Sequence, residues 1–169
     1  PLDIGGNTPY DDAWHLMGIR ATRIFLYPIN KIFHTNFPLT TPITARPNEI
    51  TVNGRKLITD VCFQVGAADA FDIFILEEQT KLDKTIHRRL LSYIFSHAVM
   101  LTDAMIDTGR VVLPRAAVVN LRGRQESVTL PLYVEGKHLC DLTLGVLNLR
   151  DYQSAQSLAD SGLYCLLPY

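Results

Sequence analysis

The stretch that decides the fold is Asp60–Gln79, DVCFQVGAADAFDIFILEEQ. Its second half is a nearly continuous apolar run, which is typical of a strand buried on both faces of a sheet. That run ends abruptly in Glu77, Glu78 and Gln79. Because a buried carboxylate without a partner is costly, these side chains require a metal ion, a cationic partner or solvent at the end of the strand.

A turn of small residues divides this stretch. Gly66–Ala70 separates the apolar segments Arg55–Val65 and Phe71–Gln79, each of which we predict to be a strand. The short connection predicts that the two strands pair as an antiparallel hairpin. We place the centre of the turn at Ala68 and Asp69.

This register brings two acidic residues together. With the turn at that position, Asp60 lies opposite Glu77, and the Cβ atoms of such partners are about 4.5–5.5 Å apart. Because side chains alternate along a strand, Gln79 shares the face of Glu77, and Glu78 points to the opposite face. The sequence therefore predicts that Asp60, Glu77 and Gln79 lie on one surface.

Two neighbouring carboxylates repel each other unless a positive charge lies between them. Mg²⁺ prefers oxygen ligands and is often bound by one or two carboxylates, with waters and substrate phosphates as further ligands. Asp60 and Glu77 are thus candidate metal ligands. Three other interpretations stay open: the strand reaches solvent at Glu77, Asp60 caps a turn, or Asp60 pairs with Arg88. A slip of one residue in the register would also reverse every face.

The rest of the chain predicts an α/β or α+β protein, with a mixed β-sheet flanked by helices. Residues 1–169 are expected to form a single domain after a loose segment at residues 1–9. Three prolines predict a largely extended or looped segment over residues 35–48, and Pro28 predicts a kink or a division of the first helix. The helical patterns cover Tyr10–His34, Thr85–Met105 and, more weakly, Asp151–Asp160. The other strand patterns cover Glu49–Val52, Val111–Asn120, Ser127–Val134 and His138–Leu147.

Composition narrows the class of protein. The 169 residues are 47% hydrophobic and 20% charged, which suits one domain with a sizeable core. We see no apolar run long enough to cross a membrane and no signal-peptide pattern, and three scattered cysteines suggest neither a disulfide framework nor a zinc site. A reducing, cytoplasmic setting fits best. The net charge of −1 leaves only local basic patches for binding nucleic acid.

Several familiar kinds of site are missing from the sequence pattern. The five histidines show no metal-ligand spacing, and no serine has the context of a nucleophile elbow. No glycine-rich phosphate loop is present either. A hydrolase that uses a serine nucleophile is therefore not supported.

Several segments, in one order along the chain, resemble the PD-(D/E)XK nuclease-like transposases, which are related to the recombination-promoting nucleases. The most telling segment is a strand that ends in Glu-x-Gln, followed by a short loop with Asp and a helix with Arg and Tyr. The segments are YDDAWHLM (10–17), YPINKIF (27–33), RPNEI (46–50), LITDVCF (57–63), DIFILEEQTKLDKTIHRRLLSYIF (72–95), LPRAAVVNLR (113–122) and LLPY (166–169).

The resemblance implies a restriction-endonuclease-like core and a metal site. In that family an acidic pair binds Mg²⁺ (or Mn²⁺), which here corresponds to Asp60 and Glu77. Glu78 would contribute its backbone carbonyl to the ion, and Gln79 takes the place of a lysine. Asp11 matches an acidic residue that assists. Gln79 can orient a water, but as a neutral group it cannot stabilise negative charge as an ammonium does.

The implied activity is cleavage of DNA in transposition or recombination. Lys81, Arg88 and Arg89 would bind the nucleic acid, within a basic rim that also includes Arg55, Lys56 and Lys84. A homodimer suits cutting of both strands. The family usually continues with a charged helical tail beyond the last residue here, which implies a truncated chain. The alternative is an inactive nuclease fold that binds nucleic acid or a protein and exposes an apolar patch away from the acidic pair. The role of Glu49 is left open.

Overall fold

A computed structural model of the chain describes residues 9–52, 54–80, 85–105 and 111–169, with the backbone alone at residues 10, 11, 52, 55 and 101–105. The α-helices in this described part are α1 (Pro9–Arg20), α2 (Leu26–Phe33), α3 (Ile86–Met105) and α4 (Ala155–Asp160). The strands there are β1 (Ile43–Ala45), β2 (Glu49–Val52), β3 (Arg55–Ile58), β4 (Val61–Ala67), β5 (Ala70–Gln79), β6 (Arg115–Asn120), β7 (Val128–Val134) and β8 (Lys137–Asn148).

The main sheet has six strands in the order β1-β4-β5-β6-β8-β7, and β2 pairs with β3 separately. Strands β5, β6 and β8 run parallel, and the other neighbours are antiparallel. The predicted α+β class, with a mixed sheet flanked by helices, is confirmed. None of the described helices is long and apolar enough to cross a membrane.

The central hairpin has the predicted register. Partners run from Val61 and Leu76 down to Ala67 and Ala70, which leaves Ala68 and Asp69 as the turn. This pairing was predictable because a two-residue turn fixes which residues face each other. It places Asp60 next to Glu77, one step beyond the last regular pair.

The predicted strand Arg55–Val65 is wrong in one respect, because the chain bends at Thr59 and Asp60 and divides it into β3 and β4. Thr59 donates from its backbone N–H and from Oγ1 to the carbonyl oxygen of Asn48, at 2.8 and 3.2 Å. These bonds keep Thr59 with the small β2–β3 hairpin while Val61 joins the main sheet. Asp60 therefore lies at the corner between the two sheets.

The predicted helix Tyr10–His34 is also divided, though not at the proline. The α-helical backbone ends at Arg20, Ala21 is non-helical (φ −133°, ψ 43°), and a 3₁₀ turn follows before α2. Pro28 is the third residue of α2, where the missing N–H would have no acceptor within the helix. It therefore fits within the first turn of α2 and does not kink this helix.

Several other elements begin at residues that differ from the predicted ones. Within the segment expected to be extended or looped, Ile43–Ala45 pairs with β4 as an edge strand. The strand predicted from Val111 begins only at Arg115, after Pro114, and the helix predicted from Asp151 begins at Ala155 behind a Ser154 cap. The β7–β8 hairpin is confirmed, with Glu135 and Gly136 both at positive φ in the turn.

Each face of the sheet packs on its own apolar cluster. One face buries Trp14, Phe25 and Phe63 with α1, α2 and the C-terminal residues. The other face buries Ile75 and Ile94 with α3. Because successive residues of β5 alternate between these clusters, the strand reads as an unbroken apolar run.

Gly18 allows α1 to lie close against β4. A Cβ atom at this position would be 2.5 Å from Cγ1 of Val61, so Val61 or α1 would have to shift to make room for it. Gly→Ala within a helix normally stabilises by about 1 kcal/mol. We expect the opposite here: Gly18→Ala should destabilise the fold by roughly 1–3 kcal/mol in urea unfolding, because the overpacking exceeds the gain in propensity. A more stable Gly18→Ala protein would contradict this close contact.

His97 is expected to make the fold sensitive to acid. It is buried, and burial lowers the pKa of its imidazole from 6.5 to about 4. Between these values the unfolded chain binds a proton that the folded chain does not, so stability is lost as the pH falls from about 6.5 towards 4, by roughly 2–3 kcal/mol. Urea unfolding of His97→Leu across this range should show a shallower loss than wild type. Equal slopes would refute a neutral buried His97.

Candidate functional site

The acidic pair forms a reciprocal clamp where the hairpin ladder ends. The backbone N–H of Asp60 donates to Oε1 of Glu77 at 3.0 Å, and the backbone N–H of Glu78 donates to Oδ2 of Asp60 at 2.6 Å. Each carboxylate therefore bonds to the backbone of the other strand, beyond the last regular pair of Val61 and Leu76. The clamp holds both acids in place at the corner between the two sheets.

Glu77 is almost completely buried, with 2% of its surface exposed. Burial, together with the nearby charge of Asp60, raises the pKa of the Glu77 carboxyl to about 8, against the opposing effects of the Asp60 N–H and Arg89. Nη2 of Arg89, in the first turns of α3, donates to Oε2 of Glu77 at 3.2 Å. A cation beside Glu77 would favour its ionised form.

The side chain of Asp60 turns towards α1. Its Oδ1 lies 4.0 Å from Nε2 of His15, and 29% of the side chain is exposed. Alternation along a strand predicted that Asp60 would share the face of Glu77, but Asp60 is in the bend before β4, so alternation does not determine its direction. The site is therefore accessible on the Asp60 side and closed on the Glu77 side.

A row of side-chain amides continues the site across the parallel strands. Gln79, Asn120 and Asn148 are successive partners at the ends of β5, β6 and β8. Oδ1 of Asn148 accepts from the N–H of Gln125 and from Nδ2 of Asn120, both at 3.0 Å, and Nδ2 of Asn148 donates to the Gln125 carbonyl. These bonds settle which end of the Asn120 amide is nitrogen.

Two oxygens in this row lack a donor. Oδ1 of Asn120 and Oε1 of Gln79 are buried and have no hydrogen-bond partner within the described part of the chain. A buried acceptor without a partner costs about 1–3 kcal/mol. The end of the sheet beside Glu77 is therefore rich in oxygen atoms that suit a donor or a cation.

The basic residues of the predicted rim have different surroundings. Arg89 pairs with Glu77, Arg88 is exposed, and Lys56 pairs with Glu49 at 2.7 Å on the β2–β3 hairpin. That ion pair is the contact found for Glu49, whose role the sequence left open. Four further predictions concern side chains that lie outside the described part of the structure: those of Asp11, Arg55, Lys81 and Lys84.

Sequence reasoning missed several residues at the site. His15 was classed with histidines that show no ligand spacing, and Asn120 and Asn148 were not singled out. They are 45, 60 and 88 positions from Asp60 in the chain, so no short motif links them to it. The one usable signal was that these predicted strands end at or just before a polar residue. Gln79 and Asn120 are the last residues of theirs, and Asn148 directly follows the strand predicted to end at Leu147.

The donor atoms at this site fit a divalent cation that carries its own waters. Among the described residues no three His, Cys, Asp or Glu side chains form a complete ligand group. Two carboxylates are nevertheless a usual protein contribution to a Mg²⁺ site, because water and substrate phosphate complete the coordination. The unpartnered Oε1 of Gln79, two residues beyond Glu77 on the same strand, adds an acceptor.

Comparisons of the chain with protein-family models, with curated proteins and with solved structures gave no match. The site's geometry and the sequence motifs are therefore the observations that bear on function.

Proposed function

We propose that the protein is a metal-dependent DNA endonuclease of the PD-(D/E)XK type, acting in transposition or recombination. The observation that carries the proposal is the clamped acidic pair, in which a buried Glu77 adjoins a partly exposed Asp60 at the end of the central strands. A carboxyl group whose pKa is raised by burial and by a neighbouring acidic group is a common feature of functional sites. The resemblance to the PD-(D/E)XK nuclease-like transposases supports the same residues.

Asp60 and Glu77 would hold Mg²⁺ or Mn²⁺, with the Glu78 backbone carbonyl as a further ligand. When bound, such an ion activates a water and neutralises charge that develops on a phosphate. The clamp orients both carboxylates before the ion arrives, which reduces the cost of ordering them. The proposed core is restriction-endonuclease-like. The mixed sheet, in which α3 connects the parallel strands β5 and β6, is compatible with such a core.

The remaining residues have roles that follow from their chemistry. Gln79 would orient the attacking water through its amide oxygen, which has no other partner in the described part of the chain. Arg89, whose side chain is 43% exposed, would exchange its contact with Glu77 for a substrate phosphate once the cation neutralises the carboxylate. Arg88 and Lys81 are proposed to bind the DNA backbone, and Asp11 to assist. A homodimer would bring two such sites to the two strands.

A second candidate function is a nuclease fold that has lost activity and serves in binding. It is favoured by the contact between Arg89 and Glu77, which gives the buried carboxyl group a partner without a metal. The β7–β8 hairpin also exposes Tyr133, Val134 and Leu139, each more than half exposed, at the far edge of the sheet. Such a patch is a candidate surface for a protein partner.

The test is cleavage of supercoiled plasmid by the purified protein in Mg²⁺ or Mn²⁺, with EDTA as the control. We expect cleavage that requires the metal and that is abolished in Asp60→Asn, which keeps the acceptor for the Glu78 N–H. Metal-dependent cleavage at the wild-type rate by Asp60→Asn would exclude Asp60 as a ligand. No cleavage by wild type under any of these conditions would favour the binding function.

A further inference from the structure

A cavity of about 350 Å³ lies directly beside Asp60, between α1, β4 and the segment that joins β1 to β2. Its walls are largely apolar and include Ile19, Pro47 and Phe63. Ile19 is 53% exposed, so the cavity opens to solvent along α1. Its volume is at the lower end of the range for small-molecule sites.

Two basic side chains line this cavity together with Asp60. His15 comes from α1, and Arg46 comes from the segment after β1. Nε of Arg46 is buried and has no acceptor in the described part of the chain. Arg46 and Cys62 both line the cavity, so this unpaired N–H belongs to a side chain of the cavity wall.

A buried guanidinium N–H without an acceptor suits an anionic ligand, and phosphate is the group that arginine binds most readily through paired N–H donors. The apolar walls suit a sugar and a base, since proteins that bind single strands pack unstacked bases on apolar and aromatic surfaces. A single nucleotide combines both parts.

We propose that this cavity binds one unpaired nucleotide of a DNA strand, with its phosphate on Arg46 and its base against Ile19 and Pro47. The inference rests on the proposed function for its choice of DNA, and it deepens that function by naming the substrate class. Because the cavity adjoins Asp60, the strand would pass from it to the acidic pair. The protein would then prefer single-stranded or unpaired DNA to a continuous duplex.

Fluorescence anisotropy with labelled oligothymidine in EDTA tests this without cleavage. We expect wild type to bind the single strand more tightly than a duplex of equal length. Arg46→Met and Ile19→Trp should each weaken binding to the single strand by about tenfold or more. The two variants should differ in salt dependence: Arg46→Met should reduce the slope of log K against log salt by about 0.7, and Ile19→Trp should leave the slope unchanged.

Matched controls are Arg150→Met and Val99→Trp, which introduce the same residues at exposed positions outside the cavity. Their affinity should equal that of wild type. If both cavity variants bind the single strand as wild type does, or if duplex is bound equally well, the inference fails even where plasmid cleavage succeeds. If wild type cleaves no plasmid but loses single-strand binding in both variants, the cavity site stands and the nuclease function fails.

Discussion

Glu77→Gln is expected to reduce metal-dependent cleavage by a factor on the order of 10³, because one of two anionic ligands is lost while its shape is kept. The amide oxygen of Gln can still accept from the Asp60 N–H, so the clamp at the end of the hairpin should survive. Single-turnover cleavage of supercoiled plasmid in Mg²⁺ measures the effect. Circular dichroism and urea unfolding show whether the fold is kept.

The matched control for this variant is Glu49→Gln, which makes the same change on an exposed side chain that is paired with Lys56. We expect it to cleave at nearly the wild-type rate, since exposed ion pairs contribute little. Cleavage by Glu77→Gln within a few-fold of wild type would mean that the buried carboxyl is structural. The contact with Arg89 would then be sufficient to satisfy the buried Glu77 carboxyl group.

Trp14→Ala should lower the free energy of unfolding by about 3–5 kcal/mol, the largest stability effect we expect from a single residue. Trp14 is fully buried, its ring centroid lies 4.9 Å from that of Phe25, and it lies 6.5 Å from that of Tyr169. Removing it leaves a cavity between α1 and the C-terminal residues. His15, which follows Trp14 in the same helix, lines the cavity beside Asp60. The packing around that cavity should therefore loosen as well.

Urea unfolding with a linear extrapolation measures this change, and Leu16→Ala is the control on the same helix. Leu16 is 45% exposed, so its truncation should cost no more than about 0.5 kcal/mol. A small effect of Trp14→Ala, similar to that of Leu16→Ala, would show that α1 does not pack on the sheet as described.

The central hairpin could be predicted because all of its determinants are local. A turn of small residues and an unbroken apolar run are sufficient to set the pairing of β4 with β5, and hence the proximity of Asp60 and Glu77. The bend at Thr59 could not be predicted in the same way. The overall pattern of residues 55–65 predicts one strand, and the break depends on a bond from Thr59 to Asn48, eleven positions away.

The remainder of the candidate site depends on tertiary packing. His15 reaches Asp60 only because α1 lies against β4, where Gly18 permits the close approach. Arg46 reaches the same cavity through the pairing of β1, a three-residue strand that the prolines around it concealed. The amide row requires the order of β5, β6 and β8 in the sheet, which spacing along the chain does not reveal.

The central claim is that Asp60 and Glu77 together bind a divalent cation, and calorimetric titration with Mn²⁺ tests it most directly. We predict a single Mn²⁺ bound per chain near neutral pH, with release of a proton because burial raises the pKa of Glu77 to about 8. Asp60→Asn and Glu77→Gln should each weaken this binding by about tenfold or more. Unchanged Mn²⁺ binding in both variants, or none in wild type, would contradict the claim.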